Sequence, residues 1–400
     1  MADGGVFSPY RLGPVELRNR TVKAATFENL APDGLVSDDL IAFHRRFAEG
    51  GIGMTTLAYV SASPEGRTYR DQLVMTPRAV PGLKAFTDAM HDAGAAAQVQ
   101  LGHAGWFASP HVTKQAPLGP SRTFSPRAMT FSQAATRNDL DRLLRDFEEA
   151  GRLAVAAGFD AIEVHLGHGY LLSQFLSPWT NRRRDEFGGD AVGRARFPRR
   201  AVEAVRAGAG DRAAVTAKLN MEDGFKSGLQ VDDALEIARL LEADGNLDLI
   251  QLTVGFTART PMALLHGDPP ITELADLEKS GVRRAGMKFF ARFLMDDIPF
   301  EEAFLLPLAR RFRQALRMPL CLLGGITRRD TMDRAIDDES FQLVAMGRAL
   351  LFDPDHVNRL RDGEVAGSDC IHCNRCIVEM EKSGARCVVE GAPGALPAGR

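Results

Sequence analysis

GFDAIEVHLGHGYLLSQFLSP, residues 158–178, holds one complete turn of the pattern that decides the fold. Gly158 suits the end of a helix over Asn138–Ala157, because glycine takes the left-handed conformation that closes helices without a Cβ penalty. Ala161–Leu166 (AIEVHL) then reads as a short buried strand, and a polar loop follows. The unit recurs along the chain. β-rich runs fall at Thr21–Thr26, Met54–Tyr59, Ala95–Leu101, Ala161–Leu166, Ala213–Leu219, Leu247–Thr253, Pro319–Gly324 and Gln342–Met346, eight in all. Helical stretches separate them: Asp38–Glu49 behind the cap Ser37, Pro77–Ala93, Asn138–Ala157, Ala191–Ala209, Val231–Ala243, Pro299–Arg317 and Arg328–Ile336. In one of them Ala234, Ile237, Ala238 and Leu241 share a helix face. Gly94 and Gly245 repeat the role of Gly158. Alternation of this kind predicts an α/β chain with buried parallel strands. Eight units predict closure into a (β/α)8, or TIM, barrel rather than an open sheet.

The rest of the chain fits around that frame. Residues 7–19 (FSPYRLGPVELRN) read as a hairpin ahead of the first barrel strand. Three intervals after strands are long, 103–137, 167–190 and 254–298. Loops after strands occupy the C-terminal face of a barrel, where active sites sit. The expected domains are a barrel over 1–363, a cysteine-rich segment over 364–390 packed on it, and a Pro/Gly-rich disordered tail over 391–400.

Composition narrows the function. Of 400 residues 45% are hydrophobic and 25% charged, an ordinary globular balance. The net charge is -3, from 49 basic and 52 acidic residues, which gives no electrostatic case for nucleic acid or an anionic membrane. No apolar run approaches the ~18–20 residues of a membrane span. Met1–Tyr10 lacks the layout of a secretory signal, so the cytoplasm is the expected address.

Chemistry concentrates in four places. After the fourth strand come Glu163, His165, His168 and Tyr170, which place two imidazoles and a phenol at the barrel mouth. Imidazole N–H groups can hold a carbonyl oxygen and stabilise charge on it, and a tyrosine can deliver a proton. A metal site using Glu163, or a purely structural polar cluster, are the alternatives for this segment. After the seventh and eighth strands, Gly324-Gly325 and Gly347-Arg348 make paired turns suited to phosphate, although tight turns also use glycine. Gln100 and Lys218 face the barrel axis if Val99, Leu101 and Ala217 pack outward. A buried lysine there needs an anionic or electron-rich partner, and a phosphate-bearing ligand with a polar heterocycle satisfies all these groups. Finally, Cys370, Cys373, Cys376 and Cys387 form C-x2-C-x2-C with a distal fourth, apart from Cys321. That spacing suits an Fe–S cluster, less well a zinc ion, and leaves open a set of vacant thiols.

FSPYRLGPVELRNR at the start, GFDAIEVHLGHGYLLSQFLSPWTNRRRDEFGG in the middle, GGI and MGRALLFDP near the end together resemble the Old Yellow Enzyme family of NADH:flavin oxidoreductases, over residues 7–390. The cysteine motif resembles that of the subgroup holding 2,4-dienoyl-CoA reductase and trimethylamine dehydrogenase. The resemblance implies a TIM barrel with FMN at its mouth, held by Ala24, Ala25, Thr26, Ala58, Gln100 and Lys218, with Gly324, Gly325, Gly347 and Arg348 on the phosphate. It puts the carbonyl-binding pair on His165 and His168 and the proton donor on Tyr170. It implies NAD(P)H as reductant and reduction of the activated C=C bond of a small-molecule alkene. An amine dehydrogenase or demethylase coupled to a cysteine-bound [4Fe–4S] cluster is the alternative. A homo-oligomer fits the family, and a held cluster would call for an electron-transfer partner.

The chain departs from the pattern at Phe27, where many relatives have Thr or Cys, and at Lys218, where arginine is common. After FGG it carries Asp190, Val192 and Gly193 in place of the usual residues. Large cluster-bearing relatives continue into further nucleotide-binding domains, whereas no G-x-G-x-x-G follows the barrel here.

Overall fold

The computed structural model describes residues 5–125, 128–278, 280–281, 284–286, 288–289, 295–382 and 384–395. Eight parallel strands close into a barrel: β1 Thr21–Lys23, β2 Met54–Ser61, β3 Ala96–Gly102, β4 Ala161–Leu166, β5 Ala214–Asn220, β6 Leu249–Thr253, β7 Leu320–Leu322 and β8 Leu343–Met346. β8 pairs with β1, Val344 opposite Thr21, and that pairing shuts the ring. Helices follow each strand: α1 Asp38–Glu49, α2 Val80–Asp92, α3 Arg137–Ala156, α4 Ala191–Ala209, α5 Val231–Asp244, α6 Leu306–Ala315, α7 Arg329–Asp337 and the short α8 Arg348–Phe352. The chain is the TIM barrel its periodicity predicts.

Strand alternation sorts the side chains. Ile162, Val164, Leu166, Val99, Leu101, Ala217 and Leu219 join the apolar layer between barrel and helices. Their neighbours Glu163, Gln100, Thr216 and Lys218 turn to the axis, as the period-two pattern requires. A second apolar cluster, with Leu12, Leu17, Val22, Ala161, Ala214, Cys321 and Leu343, closes the N-terminal end. Leu12 and Leu17 come from the predicted hairpin, Tyr10–Leu12 paired with Val15–Leu17, which plugs the barrel floor.

Several boundaries move for local reasons. α3 starts at Arg137 because Thr136 and Asp139 form a reciprocal capping box, an arrangement worth ~1 kcal/mol. α6 starts at Leu306 rather than Pro299, with Pro307 in its first turn, where proline's missing N–H costs nothing. Residues 299–305 instead form part of the loop wall above the barrel. β7 ends two residues early, since Gly324 and Gly325 take φ of 107° and 72°. The Asp190 departure is a cap: its carboxylate accepts the Gly193 N–H at 2.8 Å, a task serine also performs. A Cβ on Gly193 would stand 2.1 Å from the Gly188 carbonyl oxygen, so only glycine fits there.

The cysteine-rich segment lies on the barrel mouth and carries α9, Arg375–Lys382. Asn29 Nδ2 donates to the Met380 carbonyl at 2.9 Å, and the Ala385 N–H to the Glu28 carbonyl at 2.9 Å. Of the stretch assigned to a tail, Ala392 is buried and the Gly394 N–H donates to the Phe352 carbonyl at 2.7 Å. Ala392 and Gly394 are therefore packed, and 396–400 lie outside the described residues. Among the described residues no helix is long and apolar enough to cross a membrane.

Candidate active site

The βα connections after β1, β4, β6, β7 and β8 enclose one cavity at the C-terminal mouth. Ala24, Ala25 and Thr26 after β1, His168 after β4, Lys218 in β5, Gly324 and Gly325 after β7, and Gly347 and Arg348 after β8 all line it. Phe300, Phe304 and His372 complete the wall. A Cβ built on Gly347 would meet only the Thr26 Cγ2, at 3.8 Å, so this backbone is open to the cavity. Two predicted cofactor contacts are not among the lining residues. Gln100 Nε2 donates to Glu163 Oε1 at 2.7 Å, and the Ala58 N–H donates to the Glu28 carboxylate at 3.2 Å. Both polar groups are committed within the protein. Arg348 Nη1 likewise donates to the His266 carbonyl and to Asn374 Oδ1, each at 2.7 Å, so the guanidinium serves the wall as well as the cavity.

Lys218 finds its anion. Its Nζ lies 3.2 Å from Glu163 Oε1, both side chains almost wholly buried. The pair stands on adjacent strands, where His165 is the register partner of Lys218.

The imidazoles and the phenol converge as the segment predicts. The His165 ring centroid is 5.1 Å from that of His168 and 5.0 Å from that of Tyr170. His168 is held from two sides: its backbone N–H donates to Asn220 Oδ1 at 3.1 Å, and ring Nε2 is 2.9 Å from Thr253 Oγ1. Its φ of 61° turns the chain sharply after the strand. His165 Nδ1 is buried with no hydrogen-bond partner among the described residues, an uncommon and costly state that points to a ligand. Burial, with Lys218 adding to it, lowers His168 to about 3, and burial with His168 and Lys218 lowers His165 well below the usual imidazole range. Both rings are neutral at physiological pH, so each offers one N–H donor and one bare nitrogen. Among the described residues no group of three His, Cys, Asp or Glu could hold an ion, and Glu163 is committed to Lys218 and Gln100.

Aromatic rings rim the mouth. Tyr59 lies 5.0 Å from Tyr170, and Phe27 stacks on Tyr69 at 4.7 Å. Tyr69 Oη bonds to Glu381 of α9. Sequence reasoning singled out Phe27 but neither tyrosine. It also missed a buried network beneath the β1 loop: Lys23 Nζ donates to Thr26 Oγ1 at 2.9 Å and to Glu28 Oε1 at 3.2 Å, and His44 Nε2 is 3.1 Å from the same oxygen. The legible signal was a lysine inside a strand run.

The four cysteines surround a second, smaller cavity, which Arg348, Leu351 and Asn374 also line. They do not converge closely enough for one ion. A tetrahedral zinc would draw its sulfurs to about 3.8 Å of one another, given Zn–S bonds of about 2.3 Å. Burial pushes Cys376 up to about 12 and raises Cys370 and Cys387, so all three are protonated thiols in the bare chain.

The profile of the NADH:flavin oxidoreductase / NADH oxidase family matches residues 5–258. The chain belongs to that family. A 4,4'-dithiodibutanoate disulfide reductase of Rhodococcus erythropolis is 52% identical over 387 residues, 97% of this chain and 95% of that one. An NADH oxidase of Thermoanaerobacter brockii is 27% identical over 374 residues, 92% of this chain but 52% of that protein, so the chain spans about half its length. Histamine dehydrogenase from Rhizobium sp. 4-9 shares the fold, with a TM-score of 0.79 and 24% identity over 96% of this chain and 51% of that one. As a member of the NADH:flavin oxidoreductases the chain is an FMN-dependent enzyme that takes electrons from NAD(P)H. The mouth cavity fits that cofactor, since its lining combines an open glycine backbone with the buried Lys218 and the half-buried Arg348.

Proposed function

We propose that this enzyme uses NAD(P)H to reduce a small organic disulfide. The observation that carries the reading is the 52% identity, along nearly the whole of both chains, to a disulfide reductase. The site supports it with a neutral hydrogen-bond donor and a phenol side by side. Overall, R–S–S–R, NAD(P)H and a proton give two R–SH and NAD(P)+. FMN, when bound, supplies two-electron hydride chemistry between nicotinamide and acceptor. Residues 24–26, Lys218, Gly324, Gly325, Gly347 and Arg348 would hold it.

The protein's own groups supply the rest. As the S–S bond breaks, one sulfur gains the hydride and the other leaves with the bonding pair. His165, through its unpartnered nitrogen, stabilises the developing negative charge, and a neutral ring does so without a strong salt-like trap. Tyr170 Oη gives the leaving thiolate its proton and recovers one from water. Phe27, Tyr59 and Tyr69 exclude water around the sulfurs.

Reduction of activated alkenes is the second reading, favoured by the His165–His168 pair, which can hold a carbonyl oxygen while Tyr170 protonates the α-carbon. The amine-dehydrogenase alternative has only a shared fold behind it. For the four cysteines the reading is a [4Fe–4S] cluster rather than zinc, supported by their C-x2-C-x2-C spacing with a distal fourth and by their ring around one cavity. Anaerobic NAD(P)H oxidation with 4,4'-dithiodibutanoate and with cyclohexenone, in parallel, decides between acceptors. Thiol release with the first supports the proposal, and turnover of the enone alone replaces it with the second reading.

A further inference from the structure

The flavin cavity and the cysteine cavity share a wall, and that wall is made by the cysteine loop itself. His372, between Cys370 and Cys373, lines the flavin cavity. Its ring lies flat on Phe300, centroids 3.4 Å apart and planes 9° apart, and Phe300 lines the same cavity. Asn374, the residue after Cys373, accepts from Arg348 Nη1 at 2.7 Å and donates through Nδ2 to the Asp268 carbonyl at 3.1 Å. Arg348 borders both cavities.

The loop cannot relax independently of this wall. His372 and Asn374 both have φ of 55°, a left-handed conformation that non-glycine residues keep only where their surroundings over-determine it. The Asp268 N–H donates to the His372 carbonyl at 3.2 Å, and a Cβ on Gly267 would stand 2.2 Å from that oxygen. The turn at 266–268, the cysteine loop and Arg348 are therefore one interlocked unit.

We propose that the cysteine loop is a working wall of the cofactor site, with His372 and Asn374 as cofactor-positioning residues, so that FMN affinity and the state of the four cysteines are linked. This rests on the reading that the mouth cavity holds FMN. Linkage is reciprocal: whatever factor the loop's integrity contributes to FMN binding, bound FMN returns to the loop.

The test uses flavin-stripped, metal-free full-length protein. FMN titration, followed by quenching of its fluorescence, should give a Kd at least tenfold weaker in His372→Ala and in Asn374→Ala than in the wild type. Circular dichroism and the unfolding midpoint of each apoprotein establish that it folds. Independently of any variant, FMN should slow the reaction of the wild-type cysteines with a thiol-specific disulfide reagent several-fold. Should a variant not fold, this second measurement decides alone. Unchanged Kd in both folded variants, or an unchanged thiol rate, overturns the inference. Wild-type protein that carries no FMN as isolated and takes none up with its metal content left in place overturns the cofactor reading itself, which is a different result.

Discussion

His165 and Tyr170, five residues apart in sequence, bring their rings to 5.0 Å at the end of β4, with the unpartnered Nδ1 of the histidine buried beside them. One strand end thus sets an imidazole nitrogen beside a phenol, the two groups to which the proposed function gives charge stabilisation and proton delivery.

The phenol is the simpler of the two to test. Tyr170→Phe keeps the ring against Tyr59 and His165 and removes only the hydroxyl. Loss of a positioned general acid costs roughly 10²–10⁴-fold in rate. Stopped-flow half-reactions should show flavin reduction by NAD(P)H near the wild-type rate and reoxidation by the acceptor slowed by about that factor. Equal slowing of both half-reactions would assign Tyr170 to cofactor placement instead.

Glu163 and Lys218 form a buried pair, and breaking it should cost more than deleting it. Removing one partner leaves an uncompensated buried charge, typically ~3–5 kcal/mol. Lys218→Met alone should lower the urea midpoint strongly, whereas Lys218→Met with Glu163→Gln should recover much of it. Additive losses would contradict the pairing.

Gly347 opens directly onto the cofactor cavity, so Gly347→Val fills space that the chain itself does not use. FMN affinity should fall at least about tenfold, ~1.4 kcal/mol, with the apoprotein's unfolding midpoint near that of the wild type. Unchanged affinity would move the cofactor away from this backbone.

His44 is buried against Thr55 and Glu28, and burial, with Lys23 nearby, lowers it to about 4. Unfolding frees it to an ordinary value of about 6.5. The unfolded chain then binds a proton that the folded chain refuses, so this contribution is complete above about pH 6.5 and falls away as the pH drops toward 4. His168, at about 3, acts in the same direction. Each steepens the loss by up to ~1.4 kcal/mol per pH unit in that window. Urea unfolding of His44→Gln and wild type between about pH 7 and pH 5 should give a shallower slope for the variant; parallel slopes would mean His44 is protonated in the fold.

How far the sequence carried can be judged residue by residue. Strand alternation placed Gln100 and Lys218 on the axis because a period of two admits no other arrangement once Val99, Leu101 and Ala217 face the helices. The glycine turns after β7 and β8 were legible because positive φ and open backbone demand glycine. Committed side chains were not. Nothing local shows that Gln100 answers to Glu163, or that Ala58 donates to Glu28, since each partner comes from a distant strand or loop. The wall role of His372 was hidden for the same reason: the cysteine motif drew attention to its sulfurs, and only the closed barrel brings that loop over Arg348. Pro299 suggested a helix start that Pro307 takes, because either proline suits a first turn and tertiary packing chooses between them.

On the proposed function, FMN at this mouth passes electrons from NAD(P)H to a small disulfide. Protein reduced anaerobically with one equivalent of NAD(P)H and then mixed with 4,4'-dithiodibutanoate tests it most directly, with the flavin absorbance and free thiols followed together. The oxidised flavin band should return in full, with two thiols released per flavin reoxidised. A flavin band that never bleaches with NAD(P)H, or one that bleaches and is not restored by the disulfide, would contradict that function.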